Sequence, residues 1–211
     1  MSTASTEADA RGRFITFEGI DGAGKSSHIE GFANALRARG HRVIVTREPG
    51  GSELAEAIRT LILNHAMSAT TELLLAFAAR ADHLERLIRP ALDRGDWVVC
   101  DRFTDSTYAY QGGGRSLGGA AVADVEGLVH PDLQPDLTIY FDLAPAIAAD
   151  RRSAARAADR IEREDQAFFE RVAASYRQRV QAAPDRFLVI DARLTLQNIS
   201  KQLQEYIDTC L

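Results

Sequence analysis

Residues 13–27, RFITFEGIDGAGKSS, decide the reading of this chain. Phe14, Ile15, Thr16 and Phe17 form a short apolar, β-favouring run suited to a strand buried in a parallel sheet. Directly after it, Gly19-Ile20-Asp21-Gly22-Ala23-Gly24-Lys25-Ser26 matches G-x-x-x-x-G-K-[ST], and beyond Ser27 a helical pattern runs through Ile29, Phe32, Ala33 and Leu36. Strand, glycine loop and helix in that order make a phosphate cradle. The glycines let backbone N–H groups turn inward around an anion, the helix start adds its positive dipole end, and Lys25 supplies a mobile charge. The Ser26 hydroxyl is placed to meet a magnesium ion.

Composition narrows what surrounds the cradle. A chain of 211 residues with 45% hydrophobic content can bury one substantial α/β core, and no linker or internal repeat divides it. Residues 1–12 read as a flexible tail and residues 13–211 as a single domain. The sequence shows neither a signal-peptide pattern nor an apolar run long enough to span a membrane, so the expected location is the cytoplasm. Two cysteines agree with a reducing compartment, Cys100 as a core residue, and the five histidines show no metal-ligand spacing. A net charge of −5 has the wrong sign for a nucleic-acid binder. Any polyphosphate partner must therefore be held by a local basic site.

Further along, residues 42–46 (RVIVT) read as a second strand, with Arg47-Glu48-Pro49-Gly50-Gly51 just past its end. In a doubly wound sheet that position lines the ligand crevice; a plain polar turn explains the same residues. Residues 52–64 predict an amphipathic helix with Leu54, Ile58, Leu61 and Ile62 inward, and residues 70–94 a longer one with Leu74 among its apolar positions. Phe77 and Arg80 share a face of that helix: a base stacked on the ring and held by the guanidinium, or an ordinary core Phe. Residues 96–102 (DWVVCDR) read as a third strand whose closing Asp101 resembles a Walker B acid or a capping Asp, with Arg102 suited to an acceptor phosphate. Residues 103–114 (FTDSTYAYQGGG) either surround a small polar ligand or enter a helix and a flexible loop. A helix over 117–129, strands over 136–142 and 187–191 and a last helix over 195–206 complete the pattern. Arg152, Arg156, Arg160 and Arg163 recur at helical spacing beside Arg151. They form a solvated face, or a lid over about 150–163 whose arginines offset phosphate charge, an effect worth roughly 10³ to 10⁵ in rate.

Taken together, FEGIDGAGKSS, TREPGGS, FAARADH, DRFTDSTYAYQGGGR and DRIERED resemble the thymidylate kinase family in its bacterial form, from about Arg13 to the end. The resemblance implies a P-loop nucleoside monophosphate kinase fold, a five-stranded parallel sheet with helices on both faces. It implies transfer of a phosphoryl group from ATP to dTMP with Mg²⁺, in the route to dTTP, by a homodimer that engages neither nucleic acid nor membrane. On matching positions, Gly19 through Ser26, with Ser27, would bind ATP, Lys25 bridging to the transferred group. Asp21 would face the sugar or phosphate of dTMP, Arg47 and Arg102 would clamp its phosphate, and Glu48 and Ser106 would line its site. Thr107, Gln111 and Arg80 would contact the thymine edge, Phe77 would stack on it, and Tyr110 would lie where a 2′-hydroxyl clashes. Ser26, Asp101 and Glu162 would serve the metal region. The loop carries no arginine, so the implied catalytic arginine is in the lid: Arg151, Arg152, Arg156 or Arg160. One departure is Ala76, where many relatives carry an aromatic residue. A kinase for another nucleoside monophosphate and a P-loop switch are the rival readings; no Asn-Lys-x-Asp guanine motif occurs.

Overall fold

The computed structural model describes residues 11–153 and 159–211. Strands β1 (Phe14–Glu18), β2 (Val43–Arg47), β3 (Trp97–Asp101), β4 (Leu137–Asp142) and β5 (Phe187–Asp191) form a parallel sheet in the order β2-β3-β1-β4-β5. All five residues of β1 are buried, as its unbroken apolar run requires. Ile15 and Phe17 pack on one face with helices α1 (Ser26–Ala38), α8 (Gln166–Ala182) and α9 (Leu196–Cys210). Phe14 packs on the other with Val98, Cys100 and Phe103. The register sets Phe17 beside Asp101, so the loop leaving β1 and the acid closing β3 meet at the carboxyl end of the sheet.

The other face is covered by α3 (Ala69–His83), a π-helical turn (Leu84–Ile88) and α4 (Arg89–Asp93), with Leu84, Ile88 and Leu92 buried. This is the expected long helix with a widened turn in it. Pro90, at the start of α4, has no N–H to return to the turn before it, and the π-helical turn lies just ahead of that gap. Helix α2 (Glu53–Asn64) buries Ala55, Ile58 and Ile62 against α3, but Leu54 and Leu61 are half-exposed, as is Leu74 on α3, contrary to expectation. Because α2 packs on the flank of α3 rather than on the sheet, its buried stripe is narrower than its apolar one.

Two differences bear on the site. Helix α8 is absent from the pattern read above, although Phe168, Phe169, Val172, Ala173 and Tyr176 bury one side of it and Asp165 caps its start through Phe168 N. The glycine-rich stretch is also not a loose loop. After the short helix α5 (Thr104–Thr107) it forms a π-helical segment (Tyr108–Gly114) packed on α8. A Cβ on Gly114 would lie 2.5 Å from the Phe168 ring, so that glycine allows the helices to approach. Helix α6 (Gly119–Val129) follows, and α7 (Pro145–Ser153) leads toward the basic segment. The expected tail lies largely outside the described residues, as does Arg156. No helix among the described residues is long and apolar enough to cross a membrane.

Gly114→Ala should therefore overpack this contact and cost about 1–3 kcal/mol of stability, read as a lower urea midpoint. An unchanged midpoint would contradict the close approach.

Candidate active site

Helix α1 follows Lys25 without a side-chain cap; Ser27 and His28 N–H donate to the Gly24 and Lys25 carbonyls, and the positive end of the helix dipole faces the loop. Gly19 takes a positive φ of 138°, and a Cβ there would come within 2.7 Å of the Phe141 carbonyl oxygen, so the turn out of β1 admits only glycine. Lys25 Nζ lies over the loop it belongs to, donating to the carbonyls of Gly19 at 2.8 Å and Ile20 at 3.3 Å. Burial and the nearby Arg102 lower its pKa to about 8, against the pull of Asp101, Asp21 and Glu18. Ser26 Oγ donates to Asp101 Oδ2 at 3.4 Å, and Asp101 Oδ1 is buried with no hydrogen-bond partner. A hydroxyl and an orphaned carboxylate oxygen at the mouth of a phosphate loop fit a Mg²⁺ ion, a hard cation that takes oxygen ligands.

Arg102 joins this loop to the next cleft. Its φ of 72° is left-handed, a strain of order 1–3 kcal/mol for a non-glycine residue, and the kink turns the side chain off the line of β3. The guanidinium then donates to the Gly19 carbonyl at 2.9 Å and pairs with Asp21 at 2.7 Å. It also donates to Ser106 Oγ and to Tyr176 and Tyr110 hydroxyls, with the Tyr110 ring beneath it. Burial alone would raise the Asp21 carboxyl; Arg102 and Lys25 outweigh it and hold the group well below the usual range. Behind the arginine, Glu18 accepts from Phe103 N at 2.7 Å, Ser106 Oγ at 2.6 Å and the Tyr176 hydroxyl at 2.9 Å.

The second cleft, about 730 Å³ with open solvent included, lies between α2, α3 and the segment that follows β3. Asp21, Arg102, Ser106 and Tyr110 line one end, and Arg80, Thr107, Gln111 and Ala76 the other. Arg80 is locked on all sides. Its Nε pairs with buried Glu48 at 2.7 Å, Nη2 donates to Thr107 Oγ1 at 2.9 Å, and its plane is sandwiched between Phe77 and Phe103, 4.8 Å from each centroid. Burial raises the Glu48 pKa, but Arg80 and the hydrogen bond with His83 bring it below normal. Arg80 Nη1 remains buried with no partner, a donor awaiting an acceptor. Gln111 donates one Nε2 N–H to Glu72 at 2.7 Å, which turns its NH₂ toward that carboxylate and its oxygen away from it.

Several expected residues sit elsewhere. Phe77 is 1% exposed, packs with Leu73 and Val122, and does not line the cleft; it backs Arg80 instead of stacking on a ligand. The correction follows from its place one step around the helix from Ala76, which does line it. Arg47 is tied to Glu56 at 3.0 Å beside the cleft, and Arg59, which the sequence reading missed, lines it with Nη1 on the Pro49 carbonyl. Arg160 donates to the Ile62 carbonyl at 2.8 Å and to Glu72 at 2.6 Å, on the acceptor side rather than over the phosphate loop. Arg151 donates to the Ala192 carbonyl at 3.0 Å, Arg152 falls in α7, and Glu162 Oε2 accepts from Asp159 N within its own turn. Glu18, Glu72, Arg115 and Tyr176 were also missed. An arginine inside the apolar stripe of α2 was a readable signal for Arg59; for the others the partners lie far away in sequence.

A donor cradle opening straight onto a second basic, hydrogen-bonding cleft defines a P-loop phosphotransferase with a small-molecule acceptor. Residues 17–203 match the family described as thymidylate kinase. Among the relatives are the thymidylate kinases of Burkholderia vietnamiensis, 52% identical with 94% of this chain and 98% of that one covered, and Bordetella petrii, 54% identical over 92% and 94%. The crystal structure of thymidylate kinase from Ehrlichia chaffeensis superposes with a TM-score of 0.78 at 30% identity, covering 94% of this chain and 99% of that one. The chain belongs to the thymidylate kinase family.

Glu18 supplies a pH test of the network. Burial, with Asp105 second, raises its pKa from 4.5 to about 7, against Arg102 and its hydrogen bonds. A raised folded-state pKa contributes stability that is complete below the unfolded value and is lost as pH rises through about 7. Glu18→Gln does not titrate, so relative to the wild type it should gain on the order of 1–3 kcal/mol between pH 5 and pH 8. Urea unfolding at both pH values measures this, and a pH-independent difference would overturn the assignment.

Proposed function

We infer that this chain moves the γ-phosphoryl group of ATP to the 5′-phosphate of dTMP, forming dTDP and ADP. The observation that carries the choice of acceptor is the pairing at the far end of the cleft. Arg80 Nη1 is a donor without a partner, and Gln111 is committed through Nε2 so that it offers an acceptor. A thymine or uracil imide edge supplies the complement, a carbonyl beside an N–H. Cytosine presents the reverse pattern, and a site built for fixed hydrogen bonds rejects the mismatch strongly. Thr107, held on Arg80, completes that wall, and Tyr110 stands where a ribose 2′-hydroxyl would press.

The acceptor oxygen is already anionic, so no strong general base is needed, and the chemistry rests on position and charge. Gly19 to Ser27 bind the ATP phosphates, with Lys25 reaching the transferred group. Arg102 and Arg59 receive the acceptor phosphate, and Arg47 supports them once released from Glu56. Asp21 keeps Arg102 in place. Ser26 and Asp101 would hold Mg²⁺, with Glu162 ordering the neighbouring turn; the bound ion neutralises phosphate charge. We assign residues 13–211 to one kinase domain and 150–163 to its lid, in which Arg151, Arg152 and Arg156 are the candidates to reach the donor phosphates. We assign the protein to the cytoplasm and to a homodimer; half-exposed Leu74 on α3 and largely exposed Leu128 on α6, two helices that pack on each other, support the dimer.

An ADP-release assay across dTMP, dUMP, dCMP, AMP and GMP should favour dTMP over dCMP by on the order of 10⁴ in kcat/KM. Equal use of dCMP, or hydrolysis of ATP without any acceptor, would contradict the reading and favour a rival kinase or a switch. Lys25→Ala should remove nearly all turnover while the circular dichroism melt is retained; full activity in that variant would discredit the cradle.

A further inference from the structure

Glu72, on α3, is 1% exposed and does not itself line the cleft. Three long side chains from distant parts of the chain converge on its carboxylate. Gln111 Nε2 reaches Oε1 at 2.7 Å, Arg160 Nη2 reaches Oε2 at 2.6 Å, and Arg115 Nε lies 3.2 and 3.1 Å from the two oxygens. Arg115 also pairs with Glu164. Hydrogen bonds from Gln111 and both arginines more than offset burial and keep Glu72 ionised. An ionised carboxylate accepts and never donates.

We propose that Glu72 is a specificity-determining positioning residue: by accepting only, it fixes the Gln111 amide with its oxygen on the cleft side and so sets which pyrimidine edge the site accepts. The same carboxylate anchors Arg160, whose neighbours Asp159 and Ile161 line the cleft, so base recognition and closure of the pocket share one anchor. The inference rests on the dTMP reading above and adds a cause for its selectivity. Its consequence is specific to the amide. In Glu72→Gln the new side chain has one oxygen, which the two guanidinium groups claim, and its NH₂ then faces Gln111. Gln111 must turn to accept from it, and the cleft meets an N–H where it had an oxygen. Thymine loses its partner for N3–H, while the N3 of cytosine gains one.

The test compares kcat/KM for dTMP and dCMP in wild type, Glu72→Gln, Gln111→Ala and the double variant. The account expects Glu72→Gln to raise the dCMP-to-dTMP ratio about tenfold or more, with KM for dTMP rising, the scale of one hydrogen bond exchanged for a mismatch. On the Gln111→Ala background the same substitution should leave the ratio within about twofold, because Glu72 acts through that amide. A purely structural ion-pair role predicts lower stability and lower turnover with both acceptors and an unchanged ratio, which overturns the proposal. So does an equal rise in the ratio on the Gln111→Ala background. Should Glu72→Gln fail to fold, Glu72→Asp retains the buried charge but falls short of Gln111, which frees the amide to turn; a smaller rise in the same ratio is expected, and an unchanged ratio overturns the proposal. Wild type that ignores dTMP sinks the functional reading itself, whereas a selective wild type with an unshifted Glu72→Gln ratio sinks only this inference.

Discussion

The partly buried pairing of Arg102 with Asp21 and the Gly19 carbonyl is the constraint on which the rest of the site depends. Asp21 belongs to the phosphate loop after β1, and Arg102 to the residue after β3, so one guanidinium joins the two strand ends where the register already sets them side by side. Drawing an arginine out of water is costly unless its donors are met. Here two tyrosine hydroxyls, a serine, a carboxylate and a carbonyl meet them, and a left-handed backbone turn is tolerated to bring the group there. The consequence is positive charge at the boundary between the two clefts, where two polyanions must approach each other.

Around that point the molecule separates charge placement from base recognition. At one end lie the loop, Lys25 and the orphaned Asp101 oxygen; at the other lie Arg80 and Gln111, each immobilised by a buried carboxylate. Glu48 and Glu72 thus do comparable work. Each takes up the part of its partner that is not presented to the cleft, leaving one defined hydrogen-bonding atom in front. Removing Glu48 would strand the buried Arg80 charge, a loss of about 3–5 kcal/mol in comparable pairs, so precision in the pocket and stability of the fold are linked through the same residue.

How much of this the sequence disclosed follows the range of the interactions. The loop, the five strands and most helices rest on local patterns of apolar residues and glycines, and were readable within a few residues. Helix α8 was readable too, since Phe168, Val172 and Tyr176 recur every four residues, but the arginine run before it dominated the reading of that region. Of the site, residues inside the glycine loop and after β3 were legible because strand ends place them. Phe77 was misplaced because one helical step, about 100°, separates the cleft wall at Ala76 from the core behind it. Glu72 was invisible for another reason: its partners lie 39, 43 and 88 residues away, and no local pattern encodes such convergence.

A crystal structure with dTMP and a non-hydrolysable ATP analogue both bound tests the central claim most directly. The account predicts the dTMP phosphate within hydrogen-bonding distance of Arg102, facing the terminal phosphate of the analogue, with the thymine edge between Arg80 Nη1 and the Gln111 oxygen. A dTMP molecule seated away from Arg102, or a terminal phosphate turned from it, would contradict it.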